Sequence, residues 1–274
     1  MEKKARSLIR RSPRLYSFLK RGLYAFRHIQ RRLLGTRMEE KYWATAHLRK
    51  NSDWSGENRD WARDYWDSWN HSHRSFLIEK ILNFSPSSVL EIGSNCGPNL
   101  YLLAKRLPDA EIRGIDINSE AVAKGNQWFT EEHISNVKLS VGKADDLRQF
   151  GDKSIDVVFT DAVLIYIGPD RIRKVTKEML RVVRRALILL EYNDFDLDSN
   201  RIGLFEGHWR RNYAALLEEF VPKKGITVTK LPKELWNDER WQKWGAIIEA
   251  DLQLDGKNDL TNVQGQHAGR RNLQ

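Results

Sequence analysis

The 274-residue sequence has one cysteine, Cys96, so no disulfide can form within the chain, and the composition fits a reducing compartment, the cytoplasm. No apolar run approaches the roughly 20 residues that a membrane-crossing helix needs. No stretch repeats at a fixed period, which excludes a repeat array. Acids are nearly missing from residues 1–37, where Glu2 stands alone against 12 Lys and Arg. That end nets +11, and the other 34 basic and 36 acidic residues net −2. A basic tract confined to one end argues for a surface anchor; a nucleic-acid enzyme would more often spread its charge over the folded body.

The stretch "SPRLYSFLKRGLYAFRHIQRRLLG" is punctuated as a helix, with Ser12 as N-cap, Pro13 at the first helical position and Gly35 to end it. At helical spacing Leu15, Phe18, Leu19, Leu23, Phe26, Ile29, Leu33 and Leu34 share one face, and Arg14, Lys20, Arg21, Arg27, Arg31 and Arg32 fill the opposite one. Such a helix suits a membrane interface, where each basic group gains roughly 1 kcal/mol from anionic headgroups. The same pattern also fits a helix packed on the protein's own core or an organelle transit peptide. The density of arginine tilts the reading toward the membrane surface.

The length allows one full-sized core with extensions. Residues 1–37 read as the basic arm, 38–72 as a lid segment with Trp43, Trp54, Trp61, Trp66 and Trp69, 73–254 as the main domain, and 255–274 as a disordered polar tail. The tryptophans read first as packing residues and second as a wall for a flat or ring-shaped substrate. From residue 73 the pattern alternates. Helices are expected at 73–84, 98–107, 119–133, 146–150, 170–185 and 208–220, and strands at 88–94, 111–117, 137–141, 155–160, 186–192, 226–231 and 244–252. Strands joined by crossover helices predict an α/β fold with a doubly wound, mostly parallel sheet, and the last two strands form an antiparallel pair.

The segment "VLEIGSNCGPNL" places Glu91, Gly93, Asn95 and Gly97 in a strand-turn-helix, with Pro98 where a dinucleotide fingerprint would put its third glycine. A pyrophosphate ligand is disfavoured accordingly. Asp116, 25 residues after Glu91, ends the strand "GIDIN", where a carboxylate can accept both hydroxyls of a ribose.

These residues resemble the class I S-adenosylmethionine-dependent methyltransferases over roughly residues 70–252. "VLEIGSNCG" is similar to their first motif, with Asn95 for the middle glycine, and "GIDIN" to their second. The resemblance implies a Rossmann-like seven-stranded sheet with its last strand reversed, and S-adenosyl-L-methionine as cofactor. It also implies Asp116 and the adjoining Ile117 at the adenosyl ribose. "GKADDL" resembles the segment that sets an acid by the adenine amine, here Asp145, with Asp146 as the alternative. Arg74 stands where relatives place an arginine against the methionine carboxylate. "HSHRSFLIEKI" and "VLIYI" resemble a branch associated with sugar and surface-polysaccharide biosynthesis, in which Tyr166 is often His.

The resemblance implies an O-methyltransferase acting on a glycan or lipid-linked saccharide, and the basic arm suggests a peripheral place on the inner face of the membrane. A hydroxyl acceptor needs a base, and the candidates are Asp161, Tyr166 and His208, with Glu191 and Tyr192 behind them. His71 and His73 flank the same region, but with Cys96 alone and no acid at a ligand spacing no metal site is expected. Competing readings are methylation of a small metabolite or RNA, nucleic acid being the less favoured partner, and a catalytically inactive, membrane-attached assembly factor.

Overall fold

The computed structural model describes residues 35–45 and 61–254. The expected arm, apart from its last three residues, lies outside the described residues, as do Trp54 and the 255–274 tail.

Seven strands form one sheet: β1 (Ser88–Ile92), β2 (Glu111–Asp116), β3 (Val137–Val141), β4 (Ile155–Asp161), β5 (Val183–Tyr192), β8 (Ile226–Lys230) and β9 (Gly245–Asp251). Their order is β3-β2-β1-β4-β5-β9-β8. The first five are parallel, β9 runs antiparallel to β5, and β8 pairs antiparallel with β9. This is the expected seven-stranded arrangement with the last strand reversed. A separate hairpin joins β6 (Gly203–Phe205) to β7 (His208–Arg210).

Alternate residues of the central strands feed two cores, as the period of a strand requires. Val89, Val157, Phe159, Ile188 and Leu190 face one side, and Leu90, Ile92, Val158, Leu187 and Leu189 the other. The first face is covered by α3 (Ser72–Leu82), α4 (Pro98–Arg106), α5 (Ser119–Glu131) and α8 (Glu239–Trp244). The second is covered by α6 (Ile172–Val182) and α7 (Tyr213–Glu218). Each fully buried aliphatic or aromatic side chain contributes about 1.5–3 kcal/mol, so the two cores carry most of the stability. Two further helices, α1 (Thr36–Ala44) and α2 (Trp61–Asp67), lie before the sheet in sequence.

Three elements depart from expectation. Residues 146–150 form turns, because Arg181 on α6 donates to the Leu147 and Phe150 carbonyls and Glu178 accepts from the Leu147 amide, satisfying groups that a helix would have paired. The helix expected to reach 185 stops at Val182: Val183 pairs with Ile155 in the sheet, and Arg184 reaches Asp156 from an extended backbone. The helix expected over 208–220 is confined to 213–218, since Glu206 and Gly207 both take positive φ (46° and 89°), the geometry of a tight hairpin turn. Asn212 then caps the shortened helix through the Ala215 amide.

Candidate active site

The C-terminal ends of β1, β2 and β4 border a cavity of about 400 Å³. Ligands of doubly wound sheets bind at these strand ends. Thr36, Glu39, Glu40 and Trp43 of α1 line one side of it, and Trp236, from the segment between β8 and β9, lines another.

The turn after β1 is tightly held. Gly93 and Ser94 donate to the Ile115 carbonyl at 2.8 and 3.0 Å. Gly93 has φ +75°, and a Cβ there would sit 2.4 Å from Val163 Cγ2, so both its conformation and its contact with the β4 loop require glycine. Asn95 takes φ 53°, the left-handed region that asparagine tolerates better than most residues, and its Oδ1 accepts from the Cys96 amide. Gly97, at φ +89°, N-caps α4 with Pro98 in the first turn; Phe129 lies 2.9 Å from where its Cβ would be. Asp116 ties this turn to α5: Oδ2 accepts from the Asn95 amide and Oδ1 from the Asn118 amide, each at 2.8 Å.

Behind the turn lies a buried polar cluster. Arg74 Nη1 donates to Asp161 Oδ2 and Asn99 Oδ1, both at 3.0 Å. Asn99 Nδ2 donates to Glu91 Oε1 at 2.7 Å and to Asp161 Oδ2 at 3.0 Å. Arg74 also reaches Ser68 through Nε and Nη2 and lies 5.0 Å from the centre of the Tyr65 ring. Four of its five N–H donors thus meet protein acceptors, which leaves at most one for the methionine carboxylate that the sequence assigned to it. Burial pushes the Glu91 carboxyl up to about 8, against the opposing Asn99 bond. Burial also acts to raise the Asp161 carboxyl, but its electrostatic interactions with His73 and Arg74 and the hydrogen bonds from His73 and Asn99 hold it well below the usual range.

The expected bases sort by environment. Asp161 accepts from Arg74, Asn99 and His73 on one oxygen and is held low, so it takes up a proton poorly. Tyr166 lines the cavity, but burial raises its phenol, so it stays protonated at neutral pH. Glu191 spends its carboxylate on Thr160 and on the Val163, Leu164 and Ile165 amides, which holds the turn that carries Tyr166. Tyr192 is packed against Trp241 in the core. His208 is on β7, with its ring 5.3 Å from Tyr166, and is not among the residues lining the cavity. Asp145 and Ile117 do line it. Asp146 pairs with the exposed Arg148 instead. Of the tryptophans, Trp66 is a packing residue against Tyr101, Trp128 and Phe129, whereas Trp43 lines the cavity.

Residues 89–186 match the family described as a methyltransferase domain. This stretch is a class I S-adenosylmethionine-dependent methyltransferase domain. The chain is 29% identical over 149 residues to an uncharacterised protein of Haemophilus influenzae, covering 54% of each. It is 32% identical over 120 residues to a demethylmenaquinone methyltransferase of Thermotoga maritima, covering 43% of this chain and 49% of that one. The chain spans about half the length of the curated relatives it matches. Among solved structures, magnesium protoporphyrin IX methyltransferase of Synechocystis PCC 6803 shares the fold, with a TM-score of 0.53 at 13% identity over 79% of this chain and 96% of that one.

The methyltransferase cavity fits its cofactor on three counts. Asp161 Oδ1 is buried without a hydrogen-bond partner among the described residues, an acceptor suited to an ammonium group. Asp116 keeps lone pairs beyond the two amides it accepts, enough for a diol. Gly93 and Gly97 keep side chains out of the turn. Asn99 and Trp236 escaped the sequence reading. Asn99 carried one usable signal, a polar residue in the first turn of the helix after the glycine turn; Trp236 carried none.

Proposed function

We propose that the chain methylates a hydroxyl oxygen of a glycan or lipid-linked saccharide, working on the inner face of a membrane held by residues 1–37, with residues 38–72 over the mouth of the 73–254 domain. One observation carries this reading: each of the three Arg and Lys side chains lining the cavity already has a carboxylate partner. Arg74 meets Asp161 at 3.0 Å, Lys143 meets Glu40 at 3.5 Å, and Arg171 bonds Glu40 and lies 3.5 Å from Asp145. Among the described residues no lining Arg or Lys is left over for a phosphate, and Trp43, Tyr65, Tyr166 and Trp236 supply aromatic surface, which suits a neutral ring. The positive charge is concentrated in the arm, whose chain runs directly into α1. Thr36 there is clamped by bonds from its amide and hydroxyl to Asp170 Oδ1 and by acceptance from the Gly168 amide. Among the described residues no helix is long and apolar enough to cross a membrane.

Bound S-adenosylmethionine supplies an electrophilic methyl group on a sulfonium. Asp116 and Ile117 would hold its ribose, Asp145 its adenine amine and Asp161 its ammonium group, with Glu91, Gly93, Asn95 and Gly97 shaping the turn beneath. The chain's share of catalysis is to hold the acceptor in line with that methyl group, which is worth several kcal/mol.

Incubating the protein with methyl-labelled cofactor and fractionated cell glycans, glycolipids, metabolites and RNA should place label in the glycan or glycolipid fraction; label in RNA or metabolites alone defeats the acceptor assignment. With anionic vesicles, the full chain should float and a chain lacking residues 1–34 should not, the difference vanishing at high salt. Equal flotation of the two would defeat the anchor.

A further inference from the structure

Two histidines that the cofactor does not use stand at the edge of the cavity. His71, the N-cap of α3, is exposed, and His73 is buried one position inside the helix. Both line the cavity. Their Nδ1 atoms are 2.6 Å apart, and His73 Nε2 lies 3.2 Å from Asp161 Oδ2. Trp236 stacks on the His73 ring at 4.0 Å and lies 5.5 Å from that of His71. Its other neighbour is Trp241, parallel at 4.0 Å. The column packs against both imidazoles.

Counting protons assigns the ring nitrogens. A neutral pair of imidazoles carries two protons. The carboxylate of Asp161 requires one on His73 Nε2, and the 2.6 Å contact requires one between the Nδ1 atoms. Since His73 is then occupied at Nε2, that second proton belongs to His71 Nδ1. His71 Nε2 is left bare, with no hydrogen-bond partner among the described residues, on a ring that lines the cavity. The His73 amide also points at His71 Nδ1, but from 3.5 Å, the outer limit of a hydrogen bond.

We propose that His71 is the general base of the methyl transfer, with His73, Asp161 and Trp236 as positioning residues behind it. This rests on the methyltransferase reading above. The acceptor oxygen forms its bond to the methyl carbon, the carbon–sulfur pair leaves with sulfur, and the acceptor proton passes to His71 Nε2. The positive charge gained by His71 is stabilised through His73 by the Asp161 carboxylate, a chain that orients an imidazole and favours its charged form. Burial, and then electrostatic interactions with His73 and Arg74, lower the His71 pKa, while Asp161 opposes them. The ring is therefore neutral and receptive at pH 7. The remaining titratable groups of the cluster, Glu91 and Tyr65, face Arg74 and Asp161 behind the pair.

Nitrogen-15 NMR of histidine-labelled full-length protein, with His71→Gln and His73→Gln assigning the signals, reads this without an acceptor. At pH 7 His71 should show a bare Nε2 and a protonated Nδ1, with the reverse at His73, and the His71 pattern should shift toward protonated Nε2 in His73→Gln. A doubly protonated His71 at pH 7, or one with the proton on Nε2, overturns the proposal. In label transfer to the glycan fraction, His71→Gln should lose a hundredfold or more in rate while binding S-adenosylhomocysteine as the wild type does; an unchanged rate also overturns it. Failure of the wild type to bind the cofactor would instead count against the methyltransferase reading, and the NMR result would still judge the histidine pair.

Discussion

Replacing Asp161 by alanine is expected to cost about 3–5 kcal/mol of stability, the usual penalty for stripping a buried cation of its partner. Arg74 is 3% exposed and cannot reach water when the carboxylate is gone. His73 and Asn99 lose an acceptor in the same step. The cost should fall when the cation is removed too, so Arg74→Met with Asp161→Leu should be less destabilised than the sum of the single changes. Urea unfolding of the wild type and the four variants checks this. A loss below about 1 kcal/mol in Asp161→Ala would mean that the cluster is solvated, since surface pairs contribute no more than that. Ala162, next in the chain, sits at φ 58°, so the β4 exit is a strained backbone that this cluster helps to hold.

Asp116→Ala is expected to weaken S-adenosylmethionine binding by a hundredfold or more, about 2.7 kcal/mol. The carboxylate does two jobs: it carries the acceptors for the ribose, and its two bonds to the Asn95 and Asn118 amides hold the glycine turn against α5. Asp116→Asn keeps one acceptor oxygen and the shape, and should lie between the alanine variant and the wild type. Asp146→Ala, which removes an acid that pairs with Arg148 one residue beyond the cavity-lining Asp145, should bind as the wild type does. Titration calorimetry of the three variants measures the series.

The local half of this site was legible in the sequence. Strand β1, its turn, α4, β2 and Asp116 follow one another within about 30 residues, and period-2 and period-3.6 patterns suffice to order them. The long-range half was not. Arg74 meets Asp161 across 87 positions, and Trp236 stacks on His73 from a segment far along the chain; neither pairing leaves a local trace, so the protein partners of Arg74 were not foreseen. The β6–β7 hairpin was overlooked because its Glu206-Gly207 turn sits in a stretch whose apolar spacing also suits a helix. Lys143 and Asp146 form a bridge that decides which of two adjacent acids lines the cavity, a one-residue distinction below the reach of periodicity.

The central claim is that the crevice between Gly93 and Asp116 holds an adenosyl sulfonium. Titrating S-adenosylmethionine into the full-length protein and into Asp116→Ala by calorimetry tests it most directly. One saturable equimolar site in the wild type, weakened a hundredfold or more by the substitution, is the expected result. No binding by the wild type, or equal affinity in both proteins, would contradict it.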